Sequence, residues 1–185
     1  MSNNHAAIPA QSVRIDSAAV ALAHSNVSTF LDRTGCRLDR FDVLNYPPQI
    51  WPHLYLLDVI DDGRFHVRLT GDHIREMLGR DCRGCFMDQF LHGPKSQDVM
   101  AGFRHCALES RAVRMAQTVR MPNRPQMQIV ACAAPLVADG RTRRLVGVMH
   151  IMSAPAAPGT SDQSLFEMSV VDRPGAAAMT NRNGE

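Results

Sequence analysis

The side chains best suited to chemistry in this chain of 185 residues are five cysteines and eight histidines. Two of the cysteines lie close together, in Cys82-Arg83-Gly84-Cys85. A structural zinc takes four nitrogen or sulfur ligands at tetrahedral geometry. The pair supplies half of such a set, and His92, His105 and Cys106 are the residues nominated to complete it. No second close pair follows, and Gly84 between the cysteines suits a turn that serves packing, so no metal site is expected. A thioredoxin-like pair would stand at a strand-to-helix junction, which this stretch does not clearly form. A haem iron would take an imidazole nitrogen as ligand, and the nominees are His73, His105 and His150. His105 is expected to project opposite the apolar stripe of its helix, toward solvent. Ser, His and Asp are all present, but no nucleophile elbow, HExxH, P-loop or dinucleotide fingerprint is. An enzyme is not expected.

These residues must be positioned by the elements around them. Trp51 to Lys95 is the organising stretch. Leu54 to Ile60 is aliphatic, with Tyr55, Leu57 and Val59 on one side. Phe65, Val67 and Leu69 alternate with His66 and Arg68, as a half-buried strand requires. Asp61-Asp62-Gly63-Arg64 between them suits a tight hairpin. Ile74, Met77 and Leu78 then fall on one helical face, and Gly79 stops it. Gly84 opens a loop with short helical turns, and Ser96 can start a helix to about Ser110 with Val99, Met100, Phe103, Cys106 and Ala107 on one face. Three strands follow, at Val113–Met121, Gln126–Val137 and Arg144–Met152. The turns between them are short, which favours antiparallel pairing.

Residues 1–15 have no periodicity and are expected to be flexible. Residues 16–35 read as an N-terminal helix with a stripe of Val20, Ala23, Val27, Phe30 and Leu31, ended by Gly35. That helix either covers the sheet or pairs with its counterpart in a second subunit. Residues 36–152 form the main domain. Residues 153–185 turn to Ala, Pro, Gly, Ser and Thr and read as mostly disordered, with a short helical or strand-like segment near 162–171. The expected class is α+β: a five-stranded antiparallel sheet with helices covering one face, preceded by the N-terminal helix.

A hydrophobic content of 45% suffices for a core, and no run of eighteen apolar residues offers a membrane span. An odd cysteine count suits a reducing, cytoplasmic setting, and no signal peptide is visible. A net charge of +2 gives no reason to expect nucleic acid. The cluster of Arg141, Arg143 and Arg144 reads as a solvated rim.

The order of elements, with Arg40-x-Asp42, WPHLYLLDV at 51–59, FHVRLTGDHI at 65–74, LGRDCRG at 78–84 and AAPL at 133–136, resembles a PAS domain over residues 37–151. The nearer likeness is to a proteobacterial subfamily of short, stand-alone PAS proteins. The resemblance implies a sensory or regulatory module that takes a small ligand between sheet and helices, dimerises through its N-terminal helix, and acts on a separate signalling protein. The pocket lining would come from Phe65, Met77, Phe86, Phe90 and Met100, together with Phe103, Met115, Ile129 and Met149. Arg68, Arg83 and Arg114 are rim candidates for an anionic ligand. Val20, Val27, Phe30 and Leu31 would form the homodimer helix. LGRDCRG also resembles the Gly-Arg-Asn-Cys-Arg stretch of flavin photosensors, with Cys82 at the reactive cysteine. Asp81 replaces the asparagine, however, and Gln117 and Gln128 are poor substitutes for the amides that hold a flavin edge. The expectation is therefore no cofactor, haem and flavin being set aside. The alternatives are a pure protein-interaction module without a ligand and a haem or flavin sensor.

Overall fold

The computed structural model describes residues 17–61, 63–92, 95–119, 127–153 and 166–171. The elements in order are α1 (Ser17–Thr34), β1 (Leu54–Val59), β2 (Phe65–Thr70), α2 (Asp72–Leu78), α3 (Ser96–Glu109), β3 (Ala112–Val119), β4 (Met127–Ala138), β5 (Arg141–Ser153) and β6 (Phe166–Val171). Short 3-10 turns at Leu38–Arg40, Val43–Asn45 and Pro48–His53 lead from α1 to β1, and another lies at Met87–Gln89. Local chemistry fixes the boundaries. Gly79, with φ 68°, supplies the left-handed residue that ends α2. Asp139 and Gly140 both have positive φ, as a two-residue hairpin between β4 and β5 requires.

All strands join one antiparallel sheet in the order β2-β1-β5-β4-β3-β6. The five expected strands are present, in an α+β fold. The tail adds a sixth: residues 166–171 run along the outer edge of β3, from Ala112 opposite Val171 to Gln117 opposite Phe166. That piece falls within the segment near 162–171 read as helical or strand-like, and ladder hydrogen bonds along β3 hold it as a strand. Residues 154–165 and 172–185 lie outside the described residues, as do residues 1–16.

Both faces of the sheet are covered. α2 and α3 cover one, over a cluster that includes Tyr55, Leu57, Phe65, Val67, Phe103, Val113, Met115, Ala133 and Leu145. α1 lies across β4 and β5 on the other. There Val27, Phe30 and Leu31 are buried with Leu54, Leu56, Val130, Leu136, Val146 and Val148. The helix end is tied to the same sheet. The Thr34 hydroxyl donates to the Phe30 carbonyl at 2.6 Å and accepts from the Cys36 N–H at 3.1 Å, and the Val137 N–H donates to the Cys36 carbonyl at 2.6 Å. α1 thus takes the first of its two expected roles, cover for the sheet. The assignment of Val27, Phe30 and Leu31 to a dimer contact is corrected: an apolar stripe packed on its own sheet has no area left for a second copy. The side chain of Val20 lies outside the described residues.

One irregularity crosses between the two cores. Leu56 pairs with Leu69 but Leu57 pairs with Val67, so Arg68 is an extra residue in β2. The bulge breaks the alternation. Phe65 and Val67 enter the cluster under α2 and α3, whereas Leu69 packs on the α1 side. The expectation that all three share one face fails at this residue.

Candidate functional site

The covered face is shaped by small residues that let larger ones cross it. A Cβ on Gly147 of β5 would lie 2.1 Å from the Cys132 carbonyl oxygen and 2.3 Å from Tyr55 Cζ. Glycine here allows the Tyr55 ring to cross β5 and donate its hydroxyl to that carbonyl at 2.8 Å. Burial pushes the Tyr55 hydroxyl well above its ordinary pKa, so it remains a donor. Gly102 of α3 has the same function against Met115, whose sulfur would lie 2.4 Å from an added Cβ. Phe103 then meets Tyr55 edge-on, with ring centroids 5.9 Å apart, and Phe65 at 5.7 Å.

Of the nine pocket candidates, Phe65, Met100, Phe103 and Met115 are buried in this cluster, and Phe90 and Met149 pack against it. Met77 and Ile129 form an adjoining patch with Met127, joined to the cluster through Met149. Phe86 stands apart. The Arg64 guanidinium sits 3.7 Å from its ring centroid, and His66 approaches its edge at 5.4 Å. Phe86 is thus drawn to the outer edge of β2 by a cation–π contact.

The three rim arginines do not converge on the cluster. Arg83 is exposed and grips Asp81 at 2.5 Å, which brings the Asp81 carboxyl down to about 2. An anion would have to displace that carboxylate. Arg68, the bulge residue, is exposed and lies 3.9 Å from Asp58, a carboxylate that Arg144 holds at 2.6 Å. Arg114 alternates with Val113 and Met115 and so falls on the α1 side of β3.

Cys82 is brought into the covered cluster by its loop. The Gly84 N–H donates to the Val67 carbonyl and the Val67 N–H to the Cys85 carbonyl, each at 2.9 Å, so the loop is stitched to β2. The Cys82 side chain is fully buried among the residues under α2, and burial raises its thiol pKa. Cys85 is half-exposed, with its sulfur 3.6 Å from the Arg80 guanidinium. Gln117 lies on the covered side of β3, in step with Val113 and Met115, whereas Gln128 falls on the α1 side of β4.

The histidines are redistributed. His105 is half-buried, and its Nε2 is buried without a partner, so the expected projection into solvent is corrected. His73 of α2 and His150 of β5 both flank a residue the sequence reading did not nominate, His53 of the Pro48–His53 turn. The His53 ring centroid lies 4.5 Å from that of His73 and 4.8 Å from that of His150. The sequence signal for His53 is its position one residue ahead of β1. Among the described residues no three His, Cys, Asp or Glu side chains are grouped to hold a metal ion.

The element order, the sheet order and the helix-covered face agree with the match found for the sequence itself. A family model described as PAS domain aligns with residues 48–150. The chain belongs to the PAS domain family. The match takes in β1 to β4 and β5 as far as His150, with α1 and β6 outside it. No curated protein matches the chain. Among solved structures, it is similar to a fungal LOV domain photoreceptor whose published description concerns blue light and oxidative stress, at 20% identity and a TM-score of 0.45, covering 72% of this chain and 96% of that one. The expectation that this PAS domain takes no cofactor, with haem and flavin set aside, is corrected by that likeness to a photoreceptor and is not carried forward. For a flavin, the covered face offers apolar cover from Phe65, Phe103 and Met115, the buried thiol of Cys82, and one amide, Gln117. No helix among the described residues is long and apolar enough to cross a membrane.

Proposed function

We propose that this chain is a sensory PAS module that binds a small, mostly apolar ligand or cofactor between the sheet and the α2–α3 layer and passes its state to a separate protein. The observation that carries this reading is the covered cluster itself, with its Met87, Met100 and Met115 side chains and the Met77–Met149 patch beside it. Unbranched thioether side chains change rotamer easily and can open around a guest, where Leu or Ile would resist. Specificity on such a face comes from few polar groups, here the Cys82 thiol and the Gln117 amide. The module has no catalytic role in this reading, and its partner and any homodimer contact lie on surfaces other than the buried stripe of α1.

A second reading, flavin as the guest, is favoured by the position of Cys82, whose thiol is buried in the covered cluster. A bound flavin would supply visible-light absorption. Cys82 would hold its sulfur and proton against the ring system, Gln117 would address the polar edge, and Phe103 would exclude water. Native mass spectrometry of the purified full chain, beside its visible absorption spectrum, tests both readings. A retained small-molecule mass that is lost on denaturation is expected. A visible band that persists on gel filtration and loses its light response in Cys82→Ala supports flavin. A chain that carries no added mass, and whose melting temperature no flavin, haem or small apolar compound raises, would leave a protein-interaction module instead.

A further inference from the structure

The cluster of His53, His73 and His150 joins three elements at one end of the sheet. His53 ends the turn that leads into β1, His73 lies in the first turn of α2, and His150 lies near the end of β5. The two ring contacts of His53 differ in kind: His73 meets it edge-on at 83°, and His150 stacks at 29°. The Met149 carbonyl lies 3.2 Å from His53 Nδ1. A carbonyl only accepts, so Nδ1 carries the proton and Nε2 is the basic nitrogen. His150 is 8% exposed, and its Nε2 is buried with no partner. The junction is close-packed by backbone as well. The Gly71 N–H, just ahead of α2, donates to the Leu54 carbonyl at 2.8 Å, and a Cβ at Gly71 would fall 2.2 Å from the Trp51 carbonyl oxygen.

Among the described residues, no carboxylate acts on His53 or His150. The charged groups on α2 are Asp72, Arg75 and Glu76, of which Asp72 is paired with Arg75. The turn brings no charge besides His53. The nearest charged residue along β5 is Arg144, which is held by Asp58. α1, which covers the same side of β5, carries Asp32 and Arg33 near its end, and Arg33 donates to the Asn45 carbonyl. None of these acts on His53 or His150. Burial and then His73 press on His53, and burial and then His53 press on His150, in each case toward the neutral ring.

We propose that this junction is a proton-operated latch: with neutral rings it holds the Pro48–His53 turn and α2 against the end of β5, and with charged rings it drives them apart. α2 contributes Ile74 to the covered cluster and Met77 to the patch with Met127 and Ile129. Release of the latch therefore uncovers that end of the covered face. The latch stands on the packing of the three rings and holds whether or not the face takes a ligand.

Trp51 is the only tryptophan of the chain, two residues from His53 in the same turn, with its indole N–H on the Tyr46 carbonyl at 3.2 Å. Its emission reports the junction. In the full chain, acidification through and below the ordinary imidazole value of 6.5 is expected to shift Trp51 emission reversibly to longer wavelength while the far-ultraviolet circular dichroism holds. The C2 protons of His53 and His150 are expected to titrate below that value by NMR. His53→Gln and His150→Phe should each abolish most of the emission shift. The proposal is overturned if either variant folds and keeps the full shift. It is also overturned if the two rings of the wild type titrate as solvent histidines do, or if they charge with no change in emission. The wild-type titration decides alone should both variants fail to fold.

Discussion

The placement of α1 is tested by one substitution and its control. Phe30 is fully buried against the sheet, and its ring meets Tyr46 edge-on with centroids 4.3 Å apart. Phe30→Ala removes a whole aromatic side chain from a packed interior. Such truncations cost about 3–5 kcal/mol, since the cavity only partly collapses, and the edge-on pair accounts for roughly 0.5–1.5 kcal/mol of that. At about 2–4 °C per kcal/mol for a chain of this size, the melting temperature should fall by roughly 6–20 °C. Tyr46→Phe is the contrast. The Tyr46 hydroxyl is buried without a partner, and burial pushes it up to about 12. Its removal relieves an unsatisfied polar group while the ring contact with Phe30 remains, so the change should be near zero or stabilising by up to about 1 kcal/mol. Urea denaturation at two well-separated protein concentrations, with the mass followed by sedimentation, distinguishes cover from dimer contact. A helix that covers its own sheet gives a loss independent of concentration with the mass unchanged. A loss below about 1 kcal/mol, or one that appears only as the mass falls, would refute the packing described.

Three further outcomes follow from the geometry. Gly147→Ala must move either the Cys132 carbonyl or the Tyr55 ring, so a loss of about 1–3 kcal/mol is expected by chemical denaturation, whereas Tyr55→Phe, which loses only the hydroxyl on Cys132, should cost about 1 kcal/mol. Among the thiols, Cys36, Cys82, Cys106 and Cys132 are buried, and burial pushes Cys132 up to about 12 and Cys106 higher. Since the thiolate is the nucleophile, Cys85 should take iodoacetamide first in the native protein, as read by peptide mass mapping; equal labelling of Cys106 would contradict the buried cluster. For pH, the native state holds His53 and His150 below the ordinary 6.5. Above that value both folded and unfolded rings are neutral and contribute nothing. Below it the unfolded chain binds protons that the native state resists, so stability falls until the native rings also charge. The urea midpoint should drop over that window, and less so in His150→Phe.

The sequence reading recovers the hairpin, the order of elements and the residues that meet α3, because period-2 and period-3.6 patterns are local. It places Arg114 opposite Val113 and Met115 by the same alternation, which already argues against a role at the covered rim. It misses what depends on a partner distant in the chain. Nothing near Leu69 announces a bulge, since the extra residue is defined only by the pairing of β2 with β1. Nothing near His53 announces His73 and His150, which are joined by the closure of the sheet. The edge strand at Phe166–Val171 is six residues in an Ala-, Pro- and Gly-rich tail. Its strand state comes from the free edge of β3.

The cover over the second face was nevertheless readable, in β4. A strand with one face in water alternates apolar and polar residues, and β4 does not. Ile129, Ala131 and Ala133 point to the α3 side, but Val130, Cys132, Ala134 and Leu136 between them are equally apolar. From Ile129 to Leu136 every residue of the strand is buried. Such a strand demands something apolar on both sides. The middle helices can cover only one, because they enter and leave the sheet on the same side between β2 and β3. The remaining apolar stripe of sufficient length that precedes the sheet is the one carrying Val27, Phe30 and Leu31. Sharing that stripe with a second copy would leave Val130, Leu136, Val146 and Val148 in water in the isolated subunit. The arithmetic of buried faces therefore assigns α1 to its own sheet, and any contact between copies must be built from the helix's outward side or from the edges at β2 and β6.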